Sequence, residues 1–187
     1  MKRILVAAAL LSASFASAAM AQDLIAQATS PLPDALKASA TVINYDAKGN
    51  ATVLRQGTGV LVCVPDQPTE GFAVSCFNKA LRAQNDMTAK LRAEGKDAKA
   101  IQAAVAEART AGKLPLAPMG SMRYSRGGKT EADARTTWVI ALPNMTGDML
   151  GVPDKKGPPG LPWLQAAGTP GAHLHISNGV PTAAAPM

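Results

Sequence analysis

His173 and His175 are the only histidines of this 187-residue chain, and they stand two apart in Ala172-His-Leu-His-Ile176. On a strand, side chains at i and i+2 share one face, so both imidazoles point the same way. Neutral imidazoles suit zinc, copper and nickel. A zinc centre normally takes at least three protein ligands, so the pair needs help. Glu131, Asp133, Asp148 and Asp154 fall in expected loops that could reach it. Two methionine pairs, Met119/Met122 and Met145/Met149, offer thioethers, which with imidazole suit Cu(I). The plain alternative is an edge-strand histidine pair, with the methionines filling the core.

Other groups carry weaker chemistry. Arg126-Gly-Gly-Lys129 combines two cations with turn amides and could hold an anion, although a polar hairpin loop has the same composition. Trp163, beyond Gly157-Pro-Pro-Gly160 and Pro162, could stack on a sugar or a peptide, or fold onto a sheet. A hydrolase would need an exposed nucleophile beside one histidine. The chain has no G-x-S-x-G turn and no pattern of paired carboxylates.

The N-terminus bears on all of these readings. Lys2 and Arg3 precede an apolar run, Ile4 to Phe15, interrupted only by Ser12 and Ser14. Ala19-Met20-Ala21 has the small-x-small pattern of a signal-peptidase site, which predicts residues 1–21 as an export leader and Gln22 as the mature terminus. The apolar run is shorter than the roughly 20 residues of a membrane span, and no second such run follows. The expected location is therefore periplasmic or secreted, with no transmembrane segment in the mature chain.

In an oxidising compartment an isolated cysteine pair reads as a disulfide, so Cys63 and Cys76 are expected to be bridged. The full chain carries 19 basic and 13 acidic residues, a net charge of +6. Loss of Lys2 and Arg3 with the leader leaves 17 against 13, or +4. That whole excess lies in Phe77–Lys113, which has eight basic and four acidic residues. An anionic envelope surface is a candidate partner for it; a solvated helix face is the plain reading. Nucleic acid is excluded as a partner, because no aromatic residue beyond Phe77 lies among these charges.

These residues need elements to position them. Residues 22–39, with Pro31 and Pro33, read as a loose lead-in containing one helical turn near Asp34–Lys37. Thr41–Tyr45 and Ala51–Arg55 flank a Gly- and Asn-containing loop and predict a hairpin. Val60–Val64 reads as a short buried strand. Residues 77–111 form a helical insertion with apolar residues at helical spacing, capped by Ser75 and broken near Gly95, with Asp97 capping a second helix. Ser121–Ser125, Thr136–Leu142 and Ala172–Ile176 supply further strands, and Arg126–Arg135 is a polar loop. Both sides of Thr136–Leu142 are apolar, which predicts a central strand. Pro143–Pro162 holds five prolines and reads as a long loop. Residues 177–187 read as a disordered tail. The expected fold is one α+β domain over residues 40–176: a mainly antiparallel sheet of about five to six strands with a helical insertion.

Asn50-Ala-Thr-Val-Leu-Arg-Gln-Gly-Thr58, Cys63-Val-Pro-Asp66, Cys76, Trp138-Val139 with Pro143, and Gly160-Leu-Pro-Trp-Leu164 leading to Gly168-Thr-Pro-Gly-Ala-His173 together resemble a family of small exported bacterial proteins with no assigned activity. The match is scattered over residues 40–176. Members tend to carry a Trp where this chain has Val60-Leu61-Val62, and a His just before the strand where it has Thr136-Thr137-Trp138. The resemblance implies an exported single domain with one disulfide and says nothing of chemistry. The leading expectation is thus a non-enzymatic exported binding or structural domain of the cell envelope. A metal-binding protein using the histidine pair comes second and a small hydrolase third. No cofactor is expected other than a metal ion at that pair.

Overall fold

Short runs rich in β-branched and aromatic residues, divided by Gly, Asn and Pro, set the strands. The computed structural model describes residues 20–67, 71–158 and 160–181. The expected leader, apart from Met20 and Ala21, lies outside them, as do Pro159 and residues 182–187 of the expected tail.

Eight strands form one mixed sheet: β1 (Thr41–Tyr45), β2 (Ala51–Arg55), β3 (Leu61–Val64), β4 (Phe72–Asn78), β5 (Met122–Gly128), β6 (Arg135–Ala141), β7 (Trp163–Gln165) and β8 (His173–Pro181). Their order is β2-β1-β3-β4-β5-β6-β8-β7. Among the described residues only β1 and β3 pair in parallel. Among the described residues there are five α-helices, residues 20–29 (α1), Asp34–Lys37 (α2), Arg82–Ala93 (α3), Ala98–Thr110 (α4) and Gly147–Leu150 (α5), and a 3-10 turn at Lys79–Leu81 that leads into α3. No helix among the described residues is long and apolar enough to cross a membrane.

The α+β architecture, the β1–β2 hairpin, the break at Gly95 and the Asp97 cap are as expected; Asp97 Oδ1 accepts a 2.7 Å hydrogen bond from Ala100 N. Five expectations are corrected. The sheet has eight strands, not five to six. β7 is a three-residue strand inside the proline-rich loop. The expected insertion overlaps the end of β4: Phe77 has helical spacing with Leu81 but points from a strand into the core, so the insertion starts at Lys79 and its cap is Asn78, not Ser75. The lead-in is not loose, because α1 buries Ile25 and Ala28, with Leu32 just beyond it, against the sheet. Nor does disorder begin at residue 177, since β8 continues to Pro181.

The disulfide joins Cys63 and Cys76, directly opposed on β3 and β4. It lies in the main core with Val42, Leu61, Tyr124 and the buried face of α1. Cys76 Sγ is 3.3 Å from the Ala28 carbonyl oxygen; a bridged sulfur has no proton to donate, so this is packing contact. Alternation then divides the side chains of β4, β5, β6 and β8 between two faces. The disulfide face carries Cys76, Tyr124, Trp138 and Ile176 in one cross-strand row. The opposite face carries Ser75, Ser125 and Thr137, then Arg123, Val139 and His175.

Candidate functional site

A helical hairpin roofs that second, polar face. The apolar sides of α3 and α4 pack on each other through Met87, Leu91, Ile101, Val105 and Ala108, with Leu114 closing the cluster. The sheet's own core on this face is a separate cluster of Ile43, Val62, Val64 and Phe77, covered by Leu81. The helices therefore bury their apolar stripe without filling the space over β4–β8. What remains is an open groove of about 1980 Å³. Small-molecule pockets run from roughly 300 to 1,000 Å³, so this space holds more than a compact ligand.

Two contacts fix the roof at the β1–β2 end. Tyr45 Oη donates to Asp86 Oδ1 at 2.7 Å, and Arg82 Nε meets the same oxygen at 2.7 Å. Burial, reinforced by the Asp86 carboxylate, raises the Tyr45 pKa and keeps the phenol a donor. Gly49, at φ +76°, lies so close to α3 that a Cβ would stand 2.6 Å from Lys90 N. Across the groove, Arg109 Nη2 donates to Gln84 Oε1 at 2.6 Å, which ties α4 to α3. Its Nη1 lies against Gly171, where a Cβ would approach to 3.3 Å. Burial lowers the Arg109 pKa.

The groove is strongly cationic. Arg92, Lys96 and Arg109 line it from the roof, Arg123 and Arg135 from the sheet, and Lys156 from the loop before β7. Asp46 is the single carboxylate on the lining among the described residues. Its oxygens accept from Lys48 N, Asn50 N and Asn50 Nδ2 within its own turn, and those bonds hold its pKa below the usual carboxylate value. Arg92, Lys96, Arg123 and Lys156 have no ion pair among the described residues. Arg123 keeps access to solvent through the open groove while protein atoms crowd around it. That crowding, with Arg92 above, lowers its pKa.

The histidines sit at one end of this groove. Arg123, Val139, His175 and Trp163 form one cross-strand row over β5, β6, β8 and β7. The Trp163 indole stacks on the His175 ring at 4.6 Å and 18°. The two imidazoles are 4.9 Å apart, so the sequence spacing does bring them together. His173 Nδ1 faces the Gly171 carbonyl at 2.6 Å; a carbonyl only accepts, so Nδ1 carries the proton. His175 Nε2 is buried with no partner. Partial burial, then His173, Lys156 and Arg123, pull the His175 pKa down to about 4.

The other expected site residues lie elsewhere. Met122 packs into the disulfide-side core, and Met119 and Met149 are exposed. Met145 is half-buried in the turn before α5, hydrogen-bonded through its backbone to Leu142 and Gly168. Glu131 is paired with Arg126 and Asp133 with Thr130, while Asp154 folds over Gly147. Among the described residues no three His, Cys, Asp or Glu side chains could hold a metal ion together. Neither imidazole bonds a carboxylate there, so a Ser-His-Asp relay lacks its third member.

Arg126 and Lys129 do not share a loop. Arg126 continues β5, its side chain on the disulfide face, with Nη2 donating to the Glu131 carbonyl at 2.8 Å and the guanidinium over Phe72. Lys129 is exposed at the turn. Arg123, Lys156 and Arg92 are the residues that sequence reasoning missed. The only available signal was the excess of positive charge in Phe77–Lys113, which includes Arg92, Lys96 and Arg109. No protein-family model, curated protein or solved structure matches this chain.

Proposed function

We propose that this protein is an exported, non-enzymatic binding domain of the cell envelope whose groove takes an anionic ligand. The carrying observation is the lining: among the described residues seven basic residues, Arg126 with its side chain turned to the other face, stand against one carboxylate already committed to its own turn. Gathering Arg92, Lys96, Arg123 and Lys156 without an ion pair among the described residues costs electrostatic free energy, which a bound anion offsets. The leader-like residues 1–21, the disulfide and the resemblance to small exported proteins support export. Cleavage after Ala21 would also leave every buried residue of α1 in place, because Met20 is 68% exposed and burial begins at Ile25.

The test is a thermal-shift and calorimetric titration of residues 22–187 with citrate, phosphate, sulfate and acetate, and with neutral sugars as controls. Multivalent anions are expected to raise the melting temperature, and Arg92→Gln with Arg123→Gln to abolish the shift. Stabilisation by neutral sugars alone, or by no anion, overturns the reading.

A further inference from the structure

The row Arg123–Val139–His175–Trp163 is more specific than the rest of the groove. Resting on the anion-binding reading, we propose that it holds a tetrahedral dianionic oxyanion, the phosphoryl group of a phosphate monoester, above Val139.

Val139 lies between Arg123 on β5 and His175 on β8, and Ala141, two residues on, lies opposite His173. The short side chains of Val139 and Ala141 make a floor between longer, basic walls. Lys156 comes from the loop and acts on His175 electrostatically, as Arg123 does; Arg92 acts on Arg123 from the helical roof. Arg123, His175, Lys156 and Arg92 thus line one groove from a strand, a second strand, a loop and a helix. A planar carboxylate is satisfied by one bidentate arginine. A tetrahedral group with two charges needs donors from several sides, and this set supplies them.

His175 adds a separate observation. Its Nε2 is buried and unpartnered, although buried polar atoms are nearly always bonded. The Trp163 stack holds the ring in place, so Nε2 is a fixed polar atom that a ligand could partner. The neighbouring floor carries the hydroxyl residues Ser75, Ser125 and Thr137, so the esterified group is polar, a polyol or a sugar.

Calorimetry of residues 22–187 with inorganic phosphate and with sn-glycerol 3-phosphate tests the site, with acetate and citrate as comparisons. Both phosphates are expected to bind saturably and to shift the Trp163 indole and His175 imidazole NMR signals. Arg123→Gln and His175→Gln are each expected to weaken binding about tenfold or more. Arg92→Gln, on an exposed helix position that cannot disturb the sheet, should do likewise, and Lys129→Gln should change nothing. Citrate binding without phosphate binding overturns the phosphoryl site while leaving the anion groove intact; no anion binding overturns both. Equal affinity for acetate, or unchanged phosphate affinity in Arg92→Gln and Arg123→Gln, also overturns the site. Co-sedimentation with phosphatidic acid vesicles, lost in Arg92→Gln, would assign the phosphate to a lipid surface. Binding of the soluble esters alone would assign it to a free ester. Either result supports the phosphoryl site.

Discussion

Single residues in the groove trade stability for charge. Arg123 sits near Arg92 with no counter-ion among the described residues. Arg123→Gln is therefore expected to stabilise the unliganded protein by about 0.5–1 kcal/mol, read by urea denaturation. Added salt should stabilise the wild type more than this variant, because screening relieves the same repulsion. His175 has an ordinary value of 6.5 when unfolded and about 4 when folded. Between those values the unfolded chain binds more protons, so stability is complete above pH 6.5 and falls as the pH drops toward 4. The loss should be about 1–2 kcal/mol, reduced by solvent screening because the ring is only partly buried. His175→Gln should remove this part of the pH dependence, seen as a smaller difference in melting temperature between pH 7 and pH 4.5. The face shared by the two histidines was legible from their spacing; that Lys156 and Arg123 surround them was not, since those residues are 17 and 50 positions away from His173 in the sequence.

At the scale of elements, the helical hairpin is held by few contacts and should be separable from the sheet. Gly49 is the tightest of them: an alanine there would meet the backbone of Ala89 and Lys90 at a backbone angle that side chains rarely adopt. Gly49→Ala is expected to cost about 2 kcal/mol and to speed hydrogen exchange in α3 and α4 more than in β4–β6. The two helices and their break were readable from apolar spacing, Gly95 and Asp97. Their placement was not: the apolar stripe predicts burial against something, and both the other helix and the sheet would satisfy it. β4 shows the same limit. Phe72–Cys76 alternates buried and more exposed positions, but Phe77, buried next to Cys76, also fits a helical period, and pairing with β3 and β5 decided the outcome.

For the molecule as a whole, the disulfide and α1 stabilise one side of the sheet and leave the other to the groove. Replacing both Cys63 and Cys76 with alanine should cost about 3 kcal/mol in the chain-entropy account, measured as a lower denaturation midpoint. Because the bridge lies on the face opposite the groove, anion affinity at low temperature should stay unchanged in that variant. Expression with the leader in a Gram-negative host should yield a periplasmic chain whose first residue is Gln22; an uncleaved cytoplasmic product would refute export.

By itself the sequence determined the local elements whose signals are short-range: the β1–β2 hairpin, the two helices, the central strand β6 and the cysteine pair. Turn chemistry, caps and apolar periodicity act within a few residues and need no partner to be read. Only the tertiary structure decided that the lead-in is a packed helix, that the Arg126 side chain turns to the disulfide face, and that Arg92, Arg123, Lys156 and His175 line one groove. Strand register and the hairpin's anchoring across the sheet set those outcomes, and both depend on contacts between residues far apart in the chain.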